Sequence, residues 1–287
     1  DDQIATFAGP TGRLEISRNV IDLQGPSVKN CCHGIYVSLA AAQKAQEVVI
    51  ADNIIRNNIN ETALGTFQRP AIEVAGDASS AVSDVTIHGN ILYNNIQGIG
   101  VTGPINRVSI TGNVIDTTVS CGECSLPARG INVETAHIST LDISHNIVHS
   151  TALQGIYVRN GTKTKIDGNL ITSPGDNGLD ISDLSNGTIS GNQVHDSSGR
   201  GTNGARLNNM TDVSVIGNTF TGNTGFGLLL SGTQTRIKTI GNSWFGNKAG
   251  DFVDGSGSTT VALIGNEGQD STPVVYNASG AKINTPH

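Results

Sequence analysis

Several residue types are scarce in this chain, and their scarcity argues against a conventional globular core. Aromatic residues make up 4% of the 287 residues, hydrophobic residues make up 36%, and there is a single Met. This composition does not suit a core of Leu and Phe, but it suits thin layers that stack mainly on Val and Ile. The 36 glycines favour a chain that turns often, because glycine tolerates positive φ.

Cationic residues and long apolar runs are also scarce. Lys and Arg total 17 against 24 Asp and Glu, which gives a formal net charge of −7. A nucleic-acid partner is not expected, since neutralising phosphates requires clustered cations and the chain has no basic run. No apolar stretch approaches the roughly 18 residues that cross a bilayer, so no membrane span is predicted.

The four cysteines do not form a clear metal motif. They occur as the adjacent pair Cys31 and Cys32 and as Cys121 and Cys124 in Cys-Gly-Glu-Cys. A four-cysteine zinc site usually combines two Cys-x-x-Cys pairs, and adjacent cysteines are a poor first half of one. A disulfide, free thiols and zinc stay open as alternatives, and no metal site is predicted.

An asparagine that returns in the same setting is the most regular feature of the chain. It usually lies within apolar-x-apolar-x-Gly-Asn-x-apolar, as in VTIHGNIL, VSITGNVI and TKIDGNLI. Consecutive members are 23 to 37 residues apart, so a rung of 23 residues recurs and the longer intervals carry insertions. A fixed period of this size predicts a solenoid. The series is Asn19, Asn53, Asn90, Asn113, Asn146, Asn169, Asn192, Asn218, Asn242 and Asn266.

Each rung contains three short strands. The first has the form Gly-apolar-x-apolar, as in QGIYV and NGLDI, the second ends at the Gly-Asn corner, and the third is a run such as NILYN. Alternation with period two indicates half-buried strands. This layout predicts an all-β right-handed parallel β-helix of about ten rungs over residues 1–267, with a C-terminal tail, 268–287, packed on or beyond the last rung.

At the corner, we expect the asparagine to adopt left-handed backbone angles and the amides to hydrogen-bond from rung to rung. The chain opens on Asp1 without a charged-then-apolar signal segment. No amphipathic helix covers the first rung, whose open end would be an exposed sheet edge. We therefore expect a mature form or an excised part of a longer protein.

The repeats resemble those of the pectate-lyase-like β-helix superfamily, which includes polysaccharide lyases, polygalacturonase-type hydrolases, mannuronan C5-epimerases and phage tailspike depolymerases. The resemblance covers nearly the whole chain and rests on the form of the repeat. The Asp-Pro-His motif of the epimerases is absent from the sequence, as is the Gly-His-Gly element of the polygalacturonases. The resemblance therefore implies a carbohydrate ligand without choosing a reaction.

The x positions of the first strand should face solvent and align into two columns, with neighbours about 4.8 Å apart. The first column is Tyr36, Glu73, Gly100, Asn132, Tyr157, Asp180, Arg206 and Leu229. The second column is Ser38, Ala75, Thr102, Glu134, Arg159, Ser182, Asn208 and Ser231. Insertions at 38–47, 57–69, 75–84 and 117–129 flank this strand and should wall a groove.

We predict a polysaccharide-binding groove on this face. The predicted catalytic residues are Asp180, Asp183, Glu134 and Glu73. The predicted substrate-binding residues are Tyr157, Arg159, Arg206, Tyr36 and Asn132. The alternative role of each of these carboxylates is that of an ordinary solvent-exposed side chain. For Asp180, a further alternative is a cross-strand ion pair with Arg206. His33, His149 and His195 lie on different rungs and are expected to be surface or turn histidines.

Two kinds of chemistry fit these residues. A glycoside hydrolase needs two carboxyl groups. Asp180 and Asp183 are the best near pair, and Glu134 lies two rungs from Asp180. A lyase or epimerase needs a base and a cation that neutralises a uronate carboxylate, roles that Tyr157 and an arginine could fill. No cofactor is required, although Ca²⁺ could bind Asp176, Asp180 and Asp183.

The sequence thus favours a secreted or virion-borne enzyme that cleaves a polysaccharide or oligosaccharide, with hydrolysis slightly ahead of elimination or epimerisation. The first alternative is a non-catalytic carbohydrate-binding or adhesive solenoid. The second is a fragment of a trimeric phage tailspike depolymerase. Leu229, Phe226 and Phe245 look too apolar for exposed positions, so a homotrimer contact or the C-terminal tail should cover them.

Overall fold

The computed structural model describes residues 4–7, 12–23, 33–39, 45–57, 70–76, 82–117, 128–134, 138–199, 202–256, 261–268, 275–276 and 282–283. Most of the predicted walls at 38–47, 57–69, 75–84 and 117–129 lies outside these residues, namely 40–44, 58–69, 77–81 and 118–127, as do all four cysteines. In the described part of the chain no helix is long and apolar enough to cross a membrane.

Ten rungs of parallel strands stack into a β-helix, as predicted. Each rung contributes one strand to each of three ladders, and every ladder pairs in parallel from rung to rung. The ladder that follows the Gly-apolar-x-apolar pattern is called the first ladder. In the seventh rung one strand, Leu179–Ser190, runs through both the first and the second ladder.

The bounds of the strands follow from this arrangement. The first ladder consists of Ile4–Phe7, Ile35–Leu39, Ile72–Gly76, Ile99–Thr102, Ile131–Glu134, Ile156–Thr162, Leu179–Ser190, Ala205–Asn208, Phe226–Ser231 and Gly250–Asp254. The second adds Gly12–Ser17, Ala45–Ala51, Val82–His88, Ile105–Thr111, Thr140–Ser144, Thr164–Asp167, Thr211–Ile216, Ile237–Ile240 and Val261–Ile264. The third consists of Val20–Asp22, Ile54–Arg56, Ile91–Tyr93, Val114–Asp116, Ile147–His149, Leu170–Thr172, Gln193–His195, Thr219–Thr221, Ser243–Phe245 and Glu267–Gly268.

The interior is filled by columns of β-branched and leucine side chains, with one layer per rung. Inward positions of the first ladder repeat as Ile and Val, for example Ile131 and Val133, both fully buried. The third ladder changes to aromatic residues near its end, where Phe220 and Trp244 are buried. The chain finishes with an antiparallel strand pair, Val275–Tyr276 and Lys282–Ile283, and the first of these contacts Gly250–Asp254.

The ten recurring asparagines form one continuous hydrogen-bonded column, called here the asparagine ladder. The backbone N–H and the side-chain Nδ2 of each of the first nine asparagines both donate to Oδ1 of the asparagine on the next rung, at 2.9–3.1 Å. Nδ2 also donates to a strand carbonyl, as Asn146 does to Ile110. The predicted rung-to-rung bonding is therefore confirmed.

The expectation that these asparagines adopt left-handed backbone angles is wrong by one residue. In all ten rungs the residue before the asparagine has φ between 55° and 64°, and it is glycine in seven of them. Glycine suits this position because it lacks the Cβ that strains left-handed angles. The asparagine is instead free to turn its amide into the interior, where it joins the column.

Candidate functional site

The two predicted columns exist on the outer side of the first ladder. The strand register pairs Tyr36 with Glu73, Glu73 with Gly100, and so on through Asp180, Arg206 and Leu229. The second column is equally continuous from Ser38 to Ser231. Side chains that are distant in sequence are thereby placed about 4.8 Å apart.

A third column lies at the corner just before the first ladder and is called the corner column. Its members stack because the N–H of the following residue donates to the corner carbonyl of the next rung, as Gly130 does to Gln154. The sequence reasoning did not identify this column. The signal was present, because each member directly precedes the Gly or Ala that opens a first strand. The column is His33, Pro70, Gln97, Arg129, Gln154, Asn177, Asn203 and Phe226.

Asp180 is almost fully buried, although it points away from the interior. Only 2% of the residue is exposed, which corrects the expectation that the first column faces solvent throughout. Arg206 donates through Nε to Oδ1 at 3.1 Å, and Asn177 donates through Nδ2 to Oδ2 at 3.2 Å. Burial raises the pKa of Asp180, opposed by the charge of Arg206 and by both hydrogen bonds.

Asn177 is held as a donor to Asp180 by the next asparagine of the corner column. Its Oδ1 accepts from both the backbone N–H and Nδ2 of Asn203, each at 2.9 Å. Oδ1 of Asn203 in turn accepts from the N–H of Phe226 at 2.9 Å. Because Oδ1 of Asn177 is occupied in this way, its Nδ2 is directed towards the carboxyl group of Asp180.

The direction of this pair is opposite to that of the asparagine ladder. In the asparagine ladder the earlier residue donates to the later one, as Asn146 does to Asn169. In the corner column the later residue, Asn203, donates to the earlier one, Asn177. Because of this reversal, Nδ2 of Asn177 does not donate to an asparagine on a neighbouring rung. It donates to the carboxyl group of Asp180 instead.

Arg129 is the functional candidate that the sequence reasoning missed. Its guanidinium carbon lies 3.6 Å from the centre of the Tyr157 ring, a cation–π contact. Nε donates to Gln154 at 2.9 Å, and Nη1 donates to Asn132 at 2.8 Å and lies 3.8 Å from Glu134. Arg129 therefore joins Asn132, Glu134 and Tyr157, three of the predicted site residues, into one group.

The charge of Arg129 is partly desolvated. Burial lowers the pKa of Arg129, while Tyr157, Glu134, Asp180 and Asp176 act to raise it. The guanidinium thus lies within the electrostatic reach of three carboxyl groups, Glu134 on its own rung and Asp176 and Asp180 two rungs further along. It links the Glu134 and Asp180 sides of the face, with Tyr157 on the rung between them.

Asp183 directly follows Ser182 of the second column and has partners of its own. It has φ of 59°, lies 3.9 Å from Nε of Arg159, and accepts from Nδ2 of Asn209 at 2.9 Å. It shares no hydrogen-bond partner with Asp180 among those found in the described ranges. A catalytic Asp180–Asp183 pair stays a prediction that these contacts do not support.

Glu73 and Tyr36 belong to a separate group near the start of the chain. The carboxylate of Glu73 makes a short hydrogen bond with Nε2 of His33, and the rings of His33 and Tyr36 stack at 4.5 Å. His33 is fully buried at the corner before Ile35–Leu39, so of the two expected placements, surface or turn, it takes the turn. Gly100 lies between this group and Asn132 in the first column. A Cβ atom at position 100 would lie 2.8 Å from Cγ of Pro70.

The aspartates considered for calcium are bonded to different donors. Asp176 accepts from the N–H of Asn177 at 2.8 Å and from Nε2 of Gln154. Asp180 and Asp183 have the partners given above. Within the described ranges, no group of three His, Cys, Asp or Glu side chains could hold a metal ion. Calcium binding by these three residues stays an untested prediction.

Two of the three late-rung apolar residues are half-buried, and the third, Phe245, is exposed. Leu229 is half-buried beside Val253 on the next rung, and Phe226 is also half-buried. Phe245 is 39% exposed. Since nothing described here covers Phe245, a homotrimer contact at this end stays a prediction.

Two family models match this sequence. The model described as right handed beta helix region matches residues 129–283, more than half of the chain. The chain belongs to the right-handed β-helix family. A model described as periplasmic copper-binding protein (NosD) matches residues 22–175. No curated protein matches the sequence.

Solved structures share the fold of this family member at low sequence identity. A double mutant of the periplasmic alginate epimerase AlgG has a TM-score of 0.55 at 13% identity, over 93% of this chain and 77% of that one. AlgG itself has a TM-score of 0.50 at 16% identity, over 92% and 70%. The A-module of the mannuronan C-5 epimerase AlgE6 of Azotobacter vinelandii gives 0.48 at 13% identity, over 93% and 91%. The predicted resemblance to the pectate-lyase-like β-helix is confirmed at the level of the fold.

Proposed function

We propose that this β-helix cleaves a polysaccharide on the outer side of its first ladder, at the group formed by Arg129, Glu134, Tyr157 and Asp180. The observation that carries the proposal is Asp180, a carboxyl group on an outer face that is only 2% exposed. Burial raises its pKa, and a carboxyl group that stays protonated above its usual range is what a general acid requires.

The proposed reaction is hydrolysis of a glycosidic bond with two carboxyl groups. Asp180 donates its proton to the glycosidic oxygen as the bond to the anomeric carbon breaks. Glu134 takes a proton from the water that attacks this carbon. The two residues are two rungs apart and in different columns, which puts them on the order of 10 Å or more apart by strand spacing. This separation is at the upper limit of the roughly 6.5–9.5 Å of inverting enzymes and far from the roughly 5–5.5 Å of retaining ones, so inversion is the expected stereochemical course.

Tyr157 and Asn132 are proposed to bind the sugar between the two carboxyl groups. Tyr157 lies on the rung between Glu134 and Asp180, with Arg129 held over its ring. Asn132 accepts the hydrogen bond of Arg129 through Oδ1, which leaves its Nδ2 as a donor for a sugar hydroxyl. Arg206 is proposed to orient Asp180 through the 3.1 Å bond to Oδ1.

A second candidate is elimination or epimerisation of a uronate, and the contact between Arg129 and Tyr157 favours it. The guanidinium of Arg129 lies 3.6 Å from the centre of the Tyr157 ring, which places a cation beside the side chain that would serve as the base. The alginate epimerase AlgG has a similar fold, which supports the same chemistry. In this reading Arg206 would face the carboxylate of the substrate.

We also propose that the protein works outside the cytoplasm, because the matched NosD model is described as periplasmic and AlgG is named a periplasmic enzyme. A non-catalytic carbohydrate-binding solenoid is the main rival. It predicts binding without turnover, whereas the buried acid at Asp180 predicts turnover.

A panel of neutral and uronate polysaccharides tests the proposal, read by new reducing ends, by absorbance near 235 nm and by exchange of the C5 proton in deuterated water. Hydrolysis gives reducing ends alone, elimination gives both reducing ends and absorbance, and epimerisation gives exchange alone. We expect Asp180→Asn to lower cleavage by about 10²–10⁴-fold, the usual contribution of a general acid.

The matched control is Asp212→Asn. Asp212 accepts two bonds from Arg236 on the second ladder, at 2.5 Å each, so this variant removes a paired aspartate away from the site. Cleavage by the control should equal that of the wild type. Full activity of Asp180→Asn, or binding across the panel without any turnover, would reject the enzymatic proposal.

A further inference from the structure

The arginines of the proposed site are all already paired with carboxyl groups of the protein. Arg129 lies 3.8 Å from Glu134, Arg159 lies 3.9 Å from Asp183, and Arg206 lies 3.1 Å from Asp180. From this pairing we infer that the substrate is a neutral glycan rather than a polyuronate. The inference rests on the proposed function, whose substrate class it narrows.

The balance of charge on this face supports the inference. Over the described parts of the corner column, the two outer columns and the turns beside them, three guanidinium groups face five carboxyl groups, which belong to Glu73, Glu134, Asp176, Asp180 and Asp183. Protonation of Asp180 still leaves more carboxylates than guanidinium groups. The whole chain has a formal net charge of −7, which is of the same sign. A surface of this sign repels a polyanion over distances of about 8–10 Å at moderate salt.

Binding a uronate here would also break contacts that the fold has already made. A substrate carboxylate that took Arg206 would compete with Asp180, which is buried and would lose its guanidinium partner. A carboxylate that took Arg129 would compete with Asn132 and Gln154, to which Arg129 donates at 2.8 and 2.9 Å. A buried acid left without a partner is costly, so neither arginine is available as a simple carboxylate receptor.

Uncharged hydrogen-bonding groups are available on the same face. Ser182 and Asn208 follow one another in the second column, and Asn208 accepts from Ser231 through Oδ1 at 3.2 Å. Among the described residues, Nδ2 of Asn208 and Nδ2 of Asn132 have no hydrogen-bond acceptor, and Asn132 and Ser182 are each 9% exposed. Amide and hydroxyl groups of this kind suit sugar hydroxyls, which both donate and accept. The face therefore offers the contacts that a neutral sugar needs.

The deciding experiment compares a polyuronate with the same polymer after chemical reduction of its carboxyl groups. Affinity electrophoresis with each polymer measures binding by the full chain, separately from cleavage. We expect the polymer with reduced carboxyl groups to bind at least tenfold more tightly than the polyuronate, with little change between 50 and 300 mM NaCl (about the range over which exposed charges are screened). Equal or tighter binding of the polyuronate would overturn the inference.

A gain-of-function variant sharpens the test. Asp183→Asn removes the partner of Arg159 and leaves a half-exposed guanidinium at the second column. We expect polyuronate binding to increase severalfold and to become salt-dependent. Asp212→Asn, which removes a carboxylate paired with Arg236 beside the second ladder, makes the same charge change elsewhere and should not alter binding. An equal gain in both variants would show that only net charge matters and would contradict the assignment.

The inference and the proposed function fail in different ways. Cleavage of polyuronates alone would contradict the inference of a neutral substrate but would agree with the proposed enzymatic activity. Binding of neutral glycans without any turnover would contradict the proposed enzymatic activity but would agree with the inferred class of ligand. Cleavage of a neutral glycan, lost in Asp180→Asn, supports both.

Discussion

The asparagine ladder and the outer side of the first ladder are built on the same rungs but have opposite character. In the asparagine ladder one residue type recurs ten times, and every link has nearly the same hydrogen-bond length. In the first column the residue changes at each rung, from Tyr157 to Asp180 to Arg206. The comparison teaches that the repeated positions maintain the fold, whereas positions that depart from the repeat are where chemistry is expected.

The largest effect is expected on stability, from Asn146→Ala in the asparagine ladder. Asn146 is fully buried, and its loss leaves the N–H of Asn113 and the carbonyl of Ile110 without their partners. Since each buried unsatisfied group costs about 1–3 kcal/mol, the free energy of unfolding should fall by roughly 3–5 kcal/mol in urea titrations. The folded fraction should keep normal activity per molecule.

Asn106→Ala is the control for this change, because Asn106 is an exposed asparagine bonded through its side chain to Ser139 alone in the described structure. Its unfolding free energy should change by less than about 0.5 kcal/mol. A similar small loss in Asn146→Ala would mean that the asparagine ladder does not stabilise the fold.

A smaller effect is expected on activity, from Asn203→Asp in the Asn177–Asn203 pair of the corner column. The new carboxylate cannot donate to Oδ1 of Asn177 and repels it, so only the bond from the backbone N–H of residue 203 still holds this oxygen in place. The amide of Asn177 should therefore rotate to donate to the new carboxylate, which withdraws Nδ2 from Asp180. We expect kcat/KM to fall about tenfold, near 1.4 kcal/mol of transition-state stabilisation. Loss of this donor raises the pKa of Asp180 further, so the basic limb of the pH profile should move to higher pH.

Asn223→Asp provides the matched comparison. Asn223 donates to Asn247 on the next rung at 2.7 Å in the usual direction, so the variant adds the same charge to a stacked pair that does not contact Asp180. It should destabilise the fold without moving the pH profile. If both variants shift the profile alike, Asn203 does not act as a positioning residue.

The sequence predicted the regular part of the molecule well. The number of rungs, the three ladders and the membership of both outer columns follow from the alternation around Gly-apolar-x-apolar and from the spacing of the asparagines. These features are local or repeat from rung to rung, so periodicity alone determines them.

The sequence could not predict how side chains of neighbouring columns lie across one another. Asp180 is buried because Arg206 and Asn177 close over it, and that depends on two residues from other rungs and another column. Arg129 was missed because it ends an insertion and looks like loop sequence. Asn203 was missed because its amide is reversed relative to the asparagine ladder, and amide direction leaves no trace in residue type.

The most direct test of the central claim is the pKa of Asp180, measured by carboxyl-carbon NMR titration and assigned by the signal that Asp180→Asn removes. We predict a pKa above the ordinary 3.8, because burial outweighs Arg206 and Asn177. With this sign the folded state binds the proton more tightly than the unfolded state. Stability from Asp180 is therefore greatest below pH 3.8 and is lost as pH rises through the folded pKa. A measured pKa at or below 3.8 would show that Asp180 is an ordinary ion pair and would contradict its role as the acid.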